Sequence, residues 1–75
     1  MFFPRITHNP RQMGGKACIR GMRITVAAVM KLLASGYSRE RVLQSYPELE
    51  VEDIDEVMNY AAWRLQEEEH PLLAH

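Results

Sequence analysis

Two breaks, Gly36 and Pro47, divide the apolar periodicity of this chain into short helical stretches, and that punctuation limits its possible folds more than any other feature. Before Gly36, Val26, Val29, Met30 and Leu33 follow the i, i+3, i+4, i+7 spacing of one helix face. Thr25 stands where an N-cap hydroxyl is wanted. Gly36 supplies the left-handed position that commonly ends a helix, and Ser38 is a fresh N-cap with Glu40 in the first turn after it. A second helix is predicted over 39–46, with Val42, Leu43 and Tyr46 facing inward. Pro47 ends it, because the residue before a proline is pushed away from helical geometry. A third, longer helix begins near Val51. Its predicted inward stripe is Ile54, Val57, Met58, Ala61 and Leu65, and Glu52, Asp53 and Asp55 suit its positive N-terminal end. Glu67-Glu68-Glu69-His70-Pro71 is expected to terminate it.

The first 25 residues read differently. Asn9-Pro10, Gly14-Gly15 and Gly21 separate short extended-looking pieces at 5–7, 17–19 and 23–25, the pattern of an irregular β-hairpin or ribbon. The expected fold is therefore mainly α: a three-helix, helix-turn-helix core over 26–66, a short N-terminal β-hairpin over 1–25 that makes it wing-like, and a tail over 67–75, all in one domain. A ribbon-helix-helix is the main rival, but it needs only two helices.

The net charge of −1 hides a division. Arg5, Arg11, Lys16, Arg20, Arg23 and Lys31 all precede the first acid, Glu40, and all 10 carboxylates follow from there, set against Arg39, Arg41 and Arg64. A basic head and an acidic tail suggest two partner surfaces of opposite preference; the plainer reading is that the two ends pair with each other. A hydrophobic share of 47% is too high for general disorder, yet no apolar run approaches the roughly 20 residues that cross a bilayer. The expected location is the cytoplasm, with no membrane association. The single cysteine, Cys18, has no internal partner and reads as a small buried apolar residue.

Catalytic chemistry finds no footing. Gly15-Lys16 hints at a phosphate loop, but Pro10 and Ala17 occupy positions where that motif needs glycine and Ser or Thr. His8, Cys18, His70 and His75 share no metal-ligand spacing, and no Ser or Cys has the context of a positioned nucleophile. The expectation is a non-catalytic protein with no metal and no cofactor. For DNA, the basic head offers Arg11, Lys16, Arg20 and Arg23 as phosphate contacts, and the second helix offers Arg39 and Arg41. The third helix would present carboxylates to a polyanion and is a poor reader. Arg20 and Arg23 flank a glycine, and an equal reading has them fixing that turn through backbone carbonyls. On the helical wheel Trp63 lies about 180° from Ile54, with Tyr60 about 60° away, so the two form an expected exposed aromatic patch. Tyr60, Trp63, Leu72 and Leu73 are the candidate interface for a homodimer or other partner; the alternative has Leu72 and Leu73 folding back over Trp63.

Several motifs occur in an order that resembles a known family. They are Arg5-Ile6-Thr7-His8-Asn9-Pro10, then Gly14-Gly15-Lys16-Ala17-Cys18-Ile19-Arg20-Gly21-Met22-Arg23-Ile24, the stretch from Val29 to Ser38, Tyr46-Pro47-Glu48-Leu49, Glu52-Asp53-Ile54 and Tyr60-Ala61-Ala62. Together they look like domain-of-unknown-function family 433, over residues 5–65. Ala17 departs from the proline common there, which removes a rigid point from the hairpin. The resemblance implies a homeodomain-like or winged-helix-like core. Many members sit beside a PIN-like ribonuclease, so it also implies an antitoxin paired with such a toxin, with operator DNA as a further partner. It carries no catalytic residues. The alternatives are a stand-alone DNA-binding regulator or a dimeric scaffold, and a homodimer or higher homo-oligomer is expected under each.

Overall fold

The computed structural model describes the backbone of residues 2–73 and the side chains of residues 2–67. Strand β1 (Ile6–His8) pairs antiparallel with β2 (Ala17–Ile19), and a single 3-10 turn, Met13–Gly15, lies in the loop between them. Helices α1 (Val26–Ala34), α2 (Arg39–Ser45) and α3 (Val51–Leu73) follow. This is the small, mainly α fold expected from the sequence. The third extended piece proves to be only a bridge from Thr25 to Cys18.

Local chemistry sets each boundary. The Thr25 hydroxyl accepts from the Ala28 N–H at 3.0 Å and opens α1; the Ser38 hydroxyl does the same for Arg41 at 3.1 Å and opens α2. Gly36, at φ +96°, closes α1. Its N–H bonds the Leu33 carbonyl and the Tyr37 N–H bonds that of Leu32, the paired bonds of a Schellman turn. The α1–turn–α2 unit is thus fixed by caps at both sides of a short connection.

Ile19, Val26, Val29, Val42, Leu49, Ile54, Val57 and Tyr60 form the core, and Cys18 is buried beside it. On α3 the inward face differs from the expected stripe: Ile54 and Val57 are buried, Met58 and Ala61 only in part, and Leu65 is 56% exposed. Asp53 and Tyr60 are buried instead. The reason is that α3 is covered on two sides, by the other helices and by the ribbon, which turns its buried face toward 53, 57 and 60. The helix also continues to Leu73, through the acidic run and Pro71 where the sequence suggested an end. Glu, Gln and Leu are good helix formers, which favours the continuation. No helix among the described residues is long and apolar enough to cross a membrane.

The ribbon is tied to α3 through Asp53. In the register that pairs Ile6 with Ile19, Arg5 stands opposite Arg20, and the Arg20 N–H donates to the Arg5 carbonyl at 2.7 Å. Two guanidinium groups side by side need an anion. Asp53, whose side chain has no exposure, accepts from Arg5 Nη1 at 2.8 Å, from Arg20 Nε and Nη2, and from the Glu50 N–H at 2.8 Å. The last bond also caps α3, with Asp53 reaching back as in a capping box. Arg20 further donates to the Glu48 carbonyl, Arg5 pairs with Glu50, and the Arg5 N–H donates to Glu56. Arg20 holds a left-handed backbone, φ +45°, beside Gly21 at φ +71° in a tight turn. Its guanidinium is what makes that costly conformation worth holding.

Burial alone would raise the Asp53 pKa, but bonds from Arg20, the Glu50 N–H and Arg5 outweigh it and bring it down to about 2. Arg5 is raised by its bonds to Glu50 and Asp53, and Arg20 by its bond to Asp53. Since the folded value lies below the ordinary 3.8, the latch contributes fully above about pH 4 and is lost as pH falls toward about 2. Asp53→Asn should therefore lower unfolding stability by about 3 kcal/mol in urea titrations near neutral pH. The difference from wild type should shrink between pH 4 and pH 2; a pH-independent difference would show that the charge on Asp53 is not what stabilises the ribbon.

Candidate functional site

The cations proposed for DNA contact divide into engaged and free. Arg20 is held by Asp53 and the Glu48 carbonyl. Among the described residues the groups that it binds are on and before α3, not the carbonyls of the glycine turn that it flanks. Arg39 Nε pairs with Asp55 at 2.9 Å, and the Arg41 guanidinium lies over the Tyr37 ring, 4.0 Å from its centre. Both α2 contacts are at the surface, where each is worth on the order of 1 kcal/mol and a stronger anion can displace it.

Arg11, Lys16 and Arg23 are exposed and make no ion pair among the described residues. The loops that carry Arg11 and Arg23 are tied to each other. The Arg11 N–H donates to Asn9 Oδ1, and Gln12 Nε2 donates to the Gly21 carbonyl at 2.8 Å, which pins the loop carrying Arg11 to the turn carrying Arg23. The Gly21 N–H in turn donates to the Thr7 hydroxyl at 3.0 Å. Lys16 is on another surface, a groove between α1 and α3. The basic head is thus two sites: an Arg11–Arg23 edge on a cross-linked loop pair, and Lys16 beside the helices.

The aromatic face also differs from the sequence reading. Tyr60 is buried, and Trp63 is half-buried rather than wet. Their cover is Phe3, whose ring meets Tyr60 edge-on at 5.3 Å and Trp63 at 5.6 Å, while Tyr60 and Trp63 lie 6.1 Å apart. His8 Nε2 and the Tyr60 hydroxyl are 3.2 Å apart, which gives the buried phenol a polar partner. The sequence could not place Phe3 there, because the contact joins residues far apart in the chain. Leu72 and Leu73, the other half of the expected interface, lie outside the residues whose side chains are described. What remains open is a shallow cleft lined by Phe2, Phe3, Asn59, Ala62 and Trp63, with Phe2 85% exposed at its edge.

Among the described residues no cluster of three or more His, Cys, Asp or Glu side chains is placed to hold a metal. The Cys18 thiol is buried and donates to the Lys16 carbonyl at 3.4 Å.

Trp63 is the only tryptophan and so reports on its own cover. Phe3→Ala should shift its emission to longer wavelength and raise its quenching by acrylamide, with helical circular dichroism unchanged. An unshifted spectrum would mean that Phe3 does not shield the ring.

Comparison with known proteins agrees with this geometry. The model of the family described as protein of unknown function (DUF433) matches residues 6–61, which contain β1, β2, α1, α2 and the first half of α3. The protein y4eO of Sinorhizobium fredii is 38% identical over 56 residues; these make up 75% of this chain, and the chain spans 25% of that relative's length. The crystal structure of a DUF433 member from Anabaena variabilis superposes with a TM-score of 0.77 at 26% identity, over 92% of this chain and 68% of that one. The family model covers most of the chain, including Arg20, Asp53 and the capped helix pair, and the chain belongs to the DUF433 family.

Proposed function

We propose that this chain is a non-catalytic, cytoplasmic binding module of antitoxin type, which contacts operator DNA through Arg11 and Arg23 and a PIN-like toxin through the cleft at Phe2, Phe3 and Trp63. The observation that carries the DNA reading is the division of the cations. Arg5, Arg20 and Arg39 are neutralised within the fold, whereas Arg11 and Arg23 share an exposed, hydrogen-bonded edge with no carboxylate paired to them among the described residues. Two arginines on loops fixed to each other can reach successive phosphates with little ordering cost. α2 is the secondary contact, since Arg39 and Arg41 can exchange weak surface partners for phosphate. The toxin reading rests on the neighbouring ribonuclease that the family resemblance implies and on the open aromatic cleft, the residue type that anchors protein interfaces. A stand-alone regulator would use the same basic edge and leave the cleft unfilled.

Electrophoretic shift of the DNA upstream of the gene, over a series of salt concentrations, tests the first part. Affinity should fall steeply with salt, and the slope of log K against log salt should shrink by about 1 for Arg11→Ala and again for Arg23→Ala. Salt-independent binding, or no binding at low salt, rejects the DNA role. Co-expression with a neighbouring PIN-like protein should yield a complex that Trp63→Glu weakens by roughly 2 kcal/mol, the scale of an interface anchor. The purified chain alone should not cleave RNA or DNA; a cleavage activity abolished by a point mutation in this chain would reject the non-catalytic reading.

A further inference from the structure

The ribbon, α1 and α3 meet around one open cleft of about 530 Å³, within the roughly 300–1,000 Å³ of sites that take small molecules. Its walls differ in character. The two helices supply small or flexible apolar side chains, Ala27 and Met30 from α1 and Ala61 and Leu65 from α3, with Leu65 left 56% exposed. The ribbon supplies His8 and Ala17, which are partners across the two strands, and Lys16 just before them. Arg64 adds a second cation, and no carboxylate lines the cleft among the described residues.

The polar groups of the cleft are not equivalent. The Tyr60 hydroxyl already meets His8 Nε2 at 3.2 Å, and the Thr25 hydroxyl is taken by the Ala28 N–H. The exposed Lys16 side chain, by contrast, makes no ion pair or hydrogen bond among the described residues. Its backbone is nevertheless fixed. Met13, Gly14 and Gly15 hold left-handed conformations in succession, at φ +53°, +66° and +80°, and the Lys16 N–H closes the turn on the Met13 carbonyl at 3.3 Å. A residue such as Met13 keeps that conformation only where its surroundings hold it. The turn therefore presents an ammonium group at the cleft from a constrained backbone.

We infer that this cleft binds a small amphiphilic anion, with its carboxylate or phosphate head on the Lys16 ammonium and its aliphatic body between α1 and α3. Charge selects the head, because a site with two cations and no carboxylate favours an anion, and the ammonium gains a charge-assisted hydrogen bond from it. The helical walls select the body. Ala27 and Ala61 leave width for an aliphatic chain, Met30 can repack around it, and the exposed surface of Leu65 is removed from water by it. Walls on three sides suit an inserted chain better than a flat protein surface. Neither Arg11 nor Arg23 lines the cleft, so this site is separate from the proposed DNA contact.

Titration of the isotope-labelled full chain with decanoate, and separately with decyl phosphate, each below its micellar concentration, tests this through amide chemical shifts. Saturable shifts should appear at residues 15–17, 26–30 and 60–65, with 11 and 23 unmoved. Binding of either anion supports the site, and the tighter of the two names its head group. Acetate, a head without a chain, and decyltrimethylammonium, the same chain with the opposite charge, should each bind about tenfold more weakly or worse. Lys16→Glu should weaken decanoate by about tenfold or more in Kd, and Ala27→Trp, which fills the cleft from an exposed position on α1, should abolish its binding. Both variants should keep the circular dichroism of the wild type. Lys31→Glu, which changes an exposed lysine of α1 that does not line this cleft, should leave the affinity as it is. The inference is overturned if neither anion gives saturable shifts, if the shifts fall elsewhere, or if the ammonium amphiphile binds equally well. It is overturned too if decanoate binding survives Lys16→Glu, or if Lys31→Glu weakens it as much, since net charge alone would then account for it.

Discussion

Asp53 has no contact with water, yet it carries a charge between two guanidinium groups, and the placement of the ribbon on the helices depends on it. Strand register forces the question: pairing Ile6 with Ile19 sets Arg5 beside Arg20, and two like charges on a ribbon this short repel unless an anion lies between them. Asp53 is available there because it is at the third position of α3, where it also accepts the Glu50 N–H and caps the helix. One carboxylate thus serves helix initiation, strand pairing and the docking of the two. A buried ion pair contributes little net stability against an apolar isostere, so the value of this one is in selecting a single arrangement of ribbon and helices. Among the described residues no buried side-chain N or O lacks a partner, which is the condition for a buried charge to be tolerated.

The same latch decides which charges are left for partners. Arg5 and Arg20 are drawn inward by Asp53, and Arg39 is drawn to Asp55, so much of the chain's electrostatic asymmetry is spent inside the molecule. The remainder is specific: Arg11 and Arg23 on the pinned loops, Lys16 beside the α1–α3 groove, and Lys31 on α1. The N-terminal arm has a second effect. By laying Phe3 on Tyr60 and Trp63 it converts a face of α3 that would otherwise be wet into satellite core, and shifts the exposed aromatic surface to Phe2 and the cleft beside it. Both effects come from the first residues of the chain folding across the last helix, and both redirect which surfaces can bind.

Helix placement was legible in the sequence because its determinants are local. Thr25, Gly36, Ser38 and Pro47 act on backbone groups within a few positions, and the 3.6-residue period of α1 and α2 needs no knowledge of the rest of the chain. The buried face of α3 was less legible. Periodicity gave Ile54 and Val57, but the burial of Asp53 and Tyr60 and the exposure of Leu65 follow from what covers that helix. A polar residue at 53 carries no periodic signal of burial. The available clue was indirect: two arginines in ribbon positions that a hairpin would pair, with no acid anywhere in the ribbon to neutralise them.

By itself, then, the sequence determined the element types, the turn positions, the capped α1–α2 unit and the segregation of basic head from acidic tail, since each rests on interactions between near neighbours or on composition alone. Tertiary structure decided which of those charges are free, which aromatic ring is covered and which face of α3 is core. These depend on contacts such as Arg5 to Asp53 and Phe3 to Trp63, which link opposite ends of the chain and arise only when the ribbon closes over the last helix.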